Sequence, residues 1–232
     1  MKTTQFLLKI FSYIPLSLID CRTDACSLYF LSNCNMRCIY CQNYPRFTQE
    51  IPLTRKNFLN RVKNNWAIGI VKFTGGEPTL QEKGLLEAAK IVQECGKRIA
   101  IDTNGTRPQV VRKLLKFDIA EVAVDYKAPQ EKYQYITGMK AHERVMETIN
   151  ILKDQCMSFE IRTTVVEPII TVEDLHKIAE RLSKIDPPLW VIQFFRPTEN
   201  TPKWLKPPKN DVIYDLVGKL SEMYNLKIKI RS

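Results

Sequence analysis

The chain has 232 residues, 44% hydrophobic and 26% charged, which supplies one substantial core and is too apolar for a disordered chain. Its formal net charge of +10 is uneven: residues 51–65 hold Arg55, Lys56, Arg61 and Lys63 and no acid, and residues 201–232 hold seven basic against three acidic residues. Such surfaces attract RNA or acidic proteins and are also common as solvated faces, and no apolar run reaches the ~20 residues of a membrane span.

Residues 6–19 are greasy, but Lys9 and Pro15 interrupt them and no small-residue cleavage site follows, so they do not read as a signal peptide. A short strand over residues 27–31 leads directly into Cys34, Cys38 and Cys41. Residues 54–65 read as a helix capped by Thr54, and residues 68–73 as a strand that ends at Gly75-Gly76. Thr79 and Glu82 have capping-box spacing and open a helix that runs to Glu94, with Gly96 just beyond. A strand over 98–102, a helix over 108–116 and a strand over 119–125 follow. Val145, Met146, Ile149 and Leu152 recur at helical spacing within 143–155. Residues 158–166 form a β-branched strand, and Thr171 with Asp174 caps a helix to Ser183. A strand over 190–195, a helix over 211–224 and a strand over 226–230 complete the pattern.

Strands alternating with helices define an α/β protein with a parallel sheet and helices outside it. A closed eightfold barrel takes ~250 residues. The pattern therefore predicts an open, partial (βα)6 TIM-like barrel, with an open doubly wound sheet as its rival. No repeat or linker divides the chain, so it reads as one domain over 1–232, with a core of about 18–200 and a C-terminal helix and strand (209–231) completing it.

Seven cysteines without a secretion signal point to free thiols in a reducing cytoplasm. Cys21, Cys26, Cys95 and Cys156 are scattered and read as small buried hydrophobes. Cys34, Cys38 and Cys41 are different: they fall within eight residues at C-x3-C-x2-C spacing, with no fourth cysteine nearby. Three thiolates can hold three irons of a cubic cluster and leave the fourth open, whereas structural zinc and electron-transfer clusters are usually closed by four ligands. Polar motifs follow the next strands: Thr74-Gly75-Gly76-Glu77-Pro78, Asp102-Thr103-Asn104-Gly105 and Asp125-Tyr126-Lys127. Active sites collect at the C-terminal ends of parallel strands, so these motifs are expected at one rim.

The cysteine loop, with Tyr40 just before its third cysteine, and the Gly75-Gly76-Glu77-Pro78 element together resemble the radical S-adenosylmethionine (SAM) superfamily. The resemblance implies the same partial barrel and one [4Fe–4S] cluster on Cys34, Cys38 and Cys41. It implies SAM chelated at the open iron, with its amino group received by Gly75, Gly76 and Glu77, and reductive cleavage of SAM to a 5′-deoxyadenosyl radical. The Asp102-Thr103-Asn104-Gly105 and Asp125-x-Lys127 elements, Arg162 and Asn43 resemble a narrower group, the activating enzymes of glycyl radical enzymes such as anaerobic ribonucleotide reductase. That likeness implies that Asp102, Thr103 and Asp125 hold SAM polar groups or a monovalent cation, with Lys127 near the SAM carboxylate. It implies an oxidoreductase that takes an electron from a low-potential donor and generates a glycyl radical on a partner enzyme. The chemistry would be carried by the cofactors, with no catalytic side chain assigned.

The chain departs from some of those enzymes at Gln193-Phe-Phe-Arg196, where they carry a histidine. Modification of RNA or of a small molecule is the alternative function, and a noncatalytic iron–sulfur electron-transfer protein the third. His142 and His176 read as surface helix residues, and Trp190, Phe194 and Phe195 as core. No cysteine lies between Cys41 and Gly75, which predicts a single cluster.

Overall fold

A computed structural model describes residues 6–155 and 157–231, so Cys156 lies outside the described residues. The strands are β1 (Ile10–Ser17), β2 (Cys26–Leu31), β3 (Ile70–Gly75), β4 (Arg98–Thr103), β5 (Ile119–Asp125), β6 (Phe159–Val165), β7 (Trp190–Phe194) and β8 (Ile228–Arg231). The helices are α1 (Arg55–Asn64), α2 (Glu82–Glu94), α3 (Pro108–Leu114), α4 (Gln130–Thr137), α5 (His142–Asp154), α6 (Val172–Ser183) and α7 (Asn210–Tyr224). The strands are hydrogen-bonded in chain order, β1 to β8, in an open sheet. β1 is antiparallel to β2, and the pairs β2–β3, β3–β4, β6–β7 and β7–β8 are parallel. The α/β class with a mostly parallel, unclosed sheet is the one expected.

Contacts group the chain into two compact units. One holds residues up to 35, 45–103 and 107–122; the other holds 36–44, 104–106 and the residues from 123 onward. In the first, β3 is buried on both faces, from Ile70 through Phe73, as parallel strands covered by helices are. Tyr29, Phe58 and Phe73 pack as an aromatic cluster under α1. A second apolar cluster joins Cys26, Leu28, Ile70, Ala100 and Ala120 with Cys21. Two residues further along β3 and β4, on the faces of Ile70 and Ala100, stand Lys72 and Asp102, so the apolar packing gives way to charge. In the second unit α6 begins with a complete capping box between Thr171 and Asp174, of a kind that contributes about 1 kcal/mol.

Three differences from the sequence reading have physical causes. The greasy N-terminal stretch contains an edge strand, β1; pairing with β2 gives its apolar residues a partner surface. The capping box at Thr79 does not form: residues Pro78–Gln81 make a 3-10 turn, and the Thr79 hydroxyl bonds to Glu77 instead. The sequence reading assigned no helix to α4, whose signals are Pro129 before it and the left-handed Gly138 after it.

Candidate functional site

In the first unit the chain turns sharply after β3. Gly75 has φ +102°, and a Cβ there would stand 2.6 Å from the Leu31 nitrogen; at Gly76 a Cβ would stand 1.9 Å from the Asn33 carbonyl oxygen. The adjacent glycines let this turn lie directly on the peptide that leads to Cys34. Gly76 N–H donates to the Leu31 carbonyl and Glu77 N–H to the Asn33 carbonyl, both at 2.8 Å. The sequence reading gives the glycines a ligand to admit; what the structure shows is that they fix the start of the cysteine loop.

Glu77 is wholly buried, and its Oε1 accepts from the Thr79 N–H at 3.0 Å, from the Thr79 hydroxyl, and from the Thr103 hydroxyl at 2.8 Å. Glu77 and Thr103, expected together from sequence, do meet. Asp102 lies 3.0 Å from the buried ammonium of Lys72, which also donates to the Asp20 carbonyl at 2.7 Å. The sequence reading passed over Lys72; a lysine amid the apolar run Ile70-Val71-Lys72-Phe73 was the available signal.

In the second unit the cysteine loop hangs on the last turn of α4. Arg37 N–H donates to the Thr137 carbonyl at 2.8 Å and Ile39 N–H to the Ile136 carbonyl at 3.0 Å. These carbonyls belong to the helix end, where no intrahelical donor remains. Cys41 N–H closes a turn onto the Cys38 carbonyl, and the Gln42 amide reaches the Arg196 carbonyl at 2.5 Å. The segment at Arg196, after β7, therefore anchors the loop through its backbone.

Cys38 and Cys41 are half-buried, as is Cys34 in the first unit. Burial pushes the Cys38 thiol up to about 11, against the pull of the Lys127 ammonium. Lys127 donates to Asp125 at 2.9 Å and lies 6.0 Å from the Tyr40 ring centroid. Burial lowers the Lys127 pKa, but Asp125, Tyr40 and Cys38 outweigh it, so the ammonium is held above the usual lysine value. Asn43 follows half-buried in the same loop.

Arg162 donates to Glu160, two residues back on β6, and Arg231 of β8 reaches the same carboxylate at 3.2 and 3.4 Å. Burial raises the Glu160 pKa, but Arg162 and then Arg231 overcome it and hold the carboxyl below its usual range. Asn104-Gly105 is a turn: Asn104 Oδ1 accepts from the Thr106 N–H and hydroxyl, and Gly105 has φ +72°. His142 is not a surface residue. It is 5% exposed, with Nε2 2.6 Å from the Tyr126 hydroxyl, because the start of α5 packs against Tyr126 and Tyr133. His176 is half-buried against Tyr224.

The residues present fit an iron–sulfur cluster in their donor chemistry. Three free thiols stand half-open in one loop, while Cys21 and Cys26 are sealed in the core. Beside Cys38, the hydroxyls of Tyr40 and Tyr133 are buried with no hydrogen-bond partner among the described residues, a state that favours completion by a polar group. Among the described residues no three His, Cys, Asp or Glu side chains already stand in a metal-holding arrangement, so the ligand set rests on spacing and chemistry.

An α/β sheet of this order carrying such a loop defines an iron–sulfur, nucleotide-using class of enzyme. Residues 28–182 match the model of the radical SAM superfamily, and the chain belongs to that superfamily. Its cofactors are accordingly a [4Fe–4S] cluster and SAM, and the chain is a radical SAM enzyme. It is 33% identical, over 94% of both chains, to a protein of Methanocaldococcus jannaschii named "Putative glycyl-radical enzyme activating enzyme". Its fold is similar to a domain of pyruvate-formate lyase-activating enzyme from Bacteroides vulgatus (TM-score 0.58, 20% identity, 70% of this chain and 98% of that one). It is also similar to Streptococcus suis SuiB bound to the precursor peptide SuiA (TM-score 0.71, 13% identity, 88% of this chain and 48% of that one). Among the described residues no helix is long and apolar enough to cross a membrane.

Proposed function

We propose that this chain activates a glycyl radical enzyme: it takes one electron from a low-potential donor and uses SAM to generate a radical on a glycine of a partner protein. The observation that carries the reading is the open three-cysteine loop in a chain similar, along nearly its whole length, to a protein named for that activity. The SuiB neighbour, bound to a precursor peptide, supports a protein substrate for this fold.

In this reading Cys34, Cys38 and Cys41 hold the cluster. Gly75, Gly76 and Glu77 present acceptors to the SAM amino group, and Lys127 balances its carboxylate. Tyr40, Asn43, Asp102, Thr103, Asp125 and Arg162 shape the rest of the nucleotide site. The cluster and SAM, when bound, supply the electron transfer and the radical that removes the hydrogen atom. The chain's own work is positioning. Glu77 holds Thr103 and its own turn, α4 holds the cysteine loop, and Glu160 holds Arg162. No proton has to be moved by a side chain, which agrees with the commitment of His142 to Tyr126. The whole of residues 1–232 acts as one radical SAM domain, a reading supported by a family match that draws on both compact units.

The test is anaerobic reconstitution with iron, sulfide, reductant and SAM, followed by mixing with a glycyl radical enzyme from the same organism. A glycine-centred electron paramagnetic resonance signal, with 5′-deoxyadenosine formed in step, is the expected result. 5′-Deoxyadenosine formed only with RNA or with a small molecule would overturn the glycyl assignment and leave the superfamily intact.

A further inference from the structure

Tyr133 is not absorbed by that reading. It stands in α4 three residues before Ile136 and four before Thr137, on the same side of the helix. The carbonyls of those two residues hold Arg37 and Ile39, the neighbours of Cys38. Tyr133 is 1% exposed, and its hydroxyl has no hydrogen-bond partner among the described residues. Its ring meets the edges of Tyr126 and His142 at centroid distances of 6.2 and 5.6 Å, and its carbonyl accepts from the Thr137 hydroxyl at 2.6 Å. The side chain is thus gripped at both ends of its bulk while its one polar atom stays unused, a costly state for a buried hydroxyl. Burial keeps that hydroxyl protonated, and the Lys127 ammonium and the Cys38 sulfur are the groups whose charges act on it most. Cys38 has the opposite need. A thiolate is the form that ligates iron, burial disfavours it here, and the nearby Lys127 ammonium already donates to Asp125.

We propose that the Tyr133 hydroxyl donates a hydrogen bond to the Cys38 sulfur when that sulfur ligates the cluster, and thereby raises the cluster's reduction potential. Donors to cluster sulfurs favour the reduced form because they stabilise its added negative charge. The inference rests on Cys38 being a cluster ligand. A tyrosine that only filled the core would leave the potential where it is when its hydroxyl is removed.

The reconstituted protein is titrated reductively without SAM, and the reduced cluster is followed by electron paramagnetic resonance. Tyr133→Phe removes one oxygen atom and is expected to make the cluster about tenfold harder to reduce, a fall of about 59 mV for one electron. A tyrosine fluorinated beside its hydroxyl, incorporated in place of Tyr133, is a stronger donor on the same ring and is expected to move the potential upward. Tyr29→Phe trims a buried hydroxyl in the other unit and is expected to leave the potential unchanged. A wild-type potential in Tyr133→Phe overturns the proposal, as does an equal fall in Tyr29→Phe. A fluorinated protein whose potential stays or falls also overturns it, and this arm keeps the native ring and hydroxyl should the phenylalanine variant fail to fold. Cys38→Ala tests the underlying reading: iron and sulfide contents equal to wild type put Cys38 outside the ligand set, and the proposal falls with that reading. Loss of the cluster in Cys38→Ala beside an unmoved potential in Tyr133→Phe sinks this inference alone.

Discussion

Asp102 is the penultimate residue of β4 in one unit and Asp125 the last residue of β5 in the other, and the two carboxylates are neutralised in opposite ways. Asp102 takes its lysine from the neighbouring strand β3, and the paired side chains are 3% (Lys72) and 17% (Asp102) exposed. Asp125 takes its lysine from two residues along the chain, and the side chains are 15% (Lys127) and 32% (Asp125) exposed. The first arrangement ties two strands together, and removing its buried ammonium is costly. The second joins neighbours that share a backbone and can loosen when a ligand arrives. One lysine is thus fitted for permanence and the other for exchange.

The severest way to break the comparison is to remove what both aspartates are proposed to serve. Cys34→Ala, from the first unit, and Cys38→Ala, from the second, should each reduce 5′-deoxyadenosine formation to background. Survival of turnover in either variant would remove that cysteine from the proposed ligand set. Next comes the contrast itself. Lys72→Met should cost about 3–5 kcal/mol of unfolding free energy, because it breaks an ion pair whose ammonium is buried in the sheet. Lys127→Met should cost about 1 kcal/mol, as partly exposed pairs do. Urea denaturation compares the two, and equal losses would erase the distinction.

Glu160→Gln should cost about 2 kcal/mol, since two arginines lose their acceptor charge. Because the folded Glu160 carboxyl is held below its usual range, its stabilisation is complete above the unfolded value of about 4.3. That stabilisation is lost as pH falls through the lower folded value. Urea midpoints of wild type and variant should therefore differ at neutral pH and converge in acid. At the small end, Lys219→Ala removes an exposed pair with Asp215 and should change stability by under about 0.5 kcal/mol, which gives the baseline for the buried cases.

The features legible in the sequence were those with a period or a cap. β5 over residues 119–125 and α6 after Thr171 stand where their patterns put them. What escaped was set by partners distant in sequence. β1 is a strand because β2 lies beside it, and Thr79 gives up its capping role because Glu77 competes for the same hydroxyl. Among the candidate site residues, Glu77 and Thr103 were found by motif, but the hydrogen bond that joins them was not. Lys72 was hidden because a charge in a buried strand is read against the strand and not against the aspartate it will meet. His142 was placed outside because a helix start looks polar until Tyr126 and Tyr133 close over it.

The cysteine loop and the end of α4 each supply what the other lacks: the loop has peptide donors to place, and the helix has carbonyls its own ladder cannot use. Transplanting Cys34–Cys41 into a foreign scaffold would carry the thiols and leave behind the hook they hang from. The smallest portable version of this proposed cluster loop is accordingly two segments, Cys34–Cys41 and the end of α4 at Ile136–Gly138, moved together.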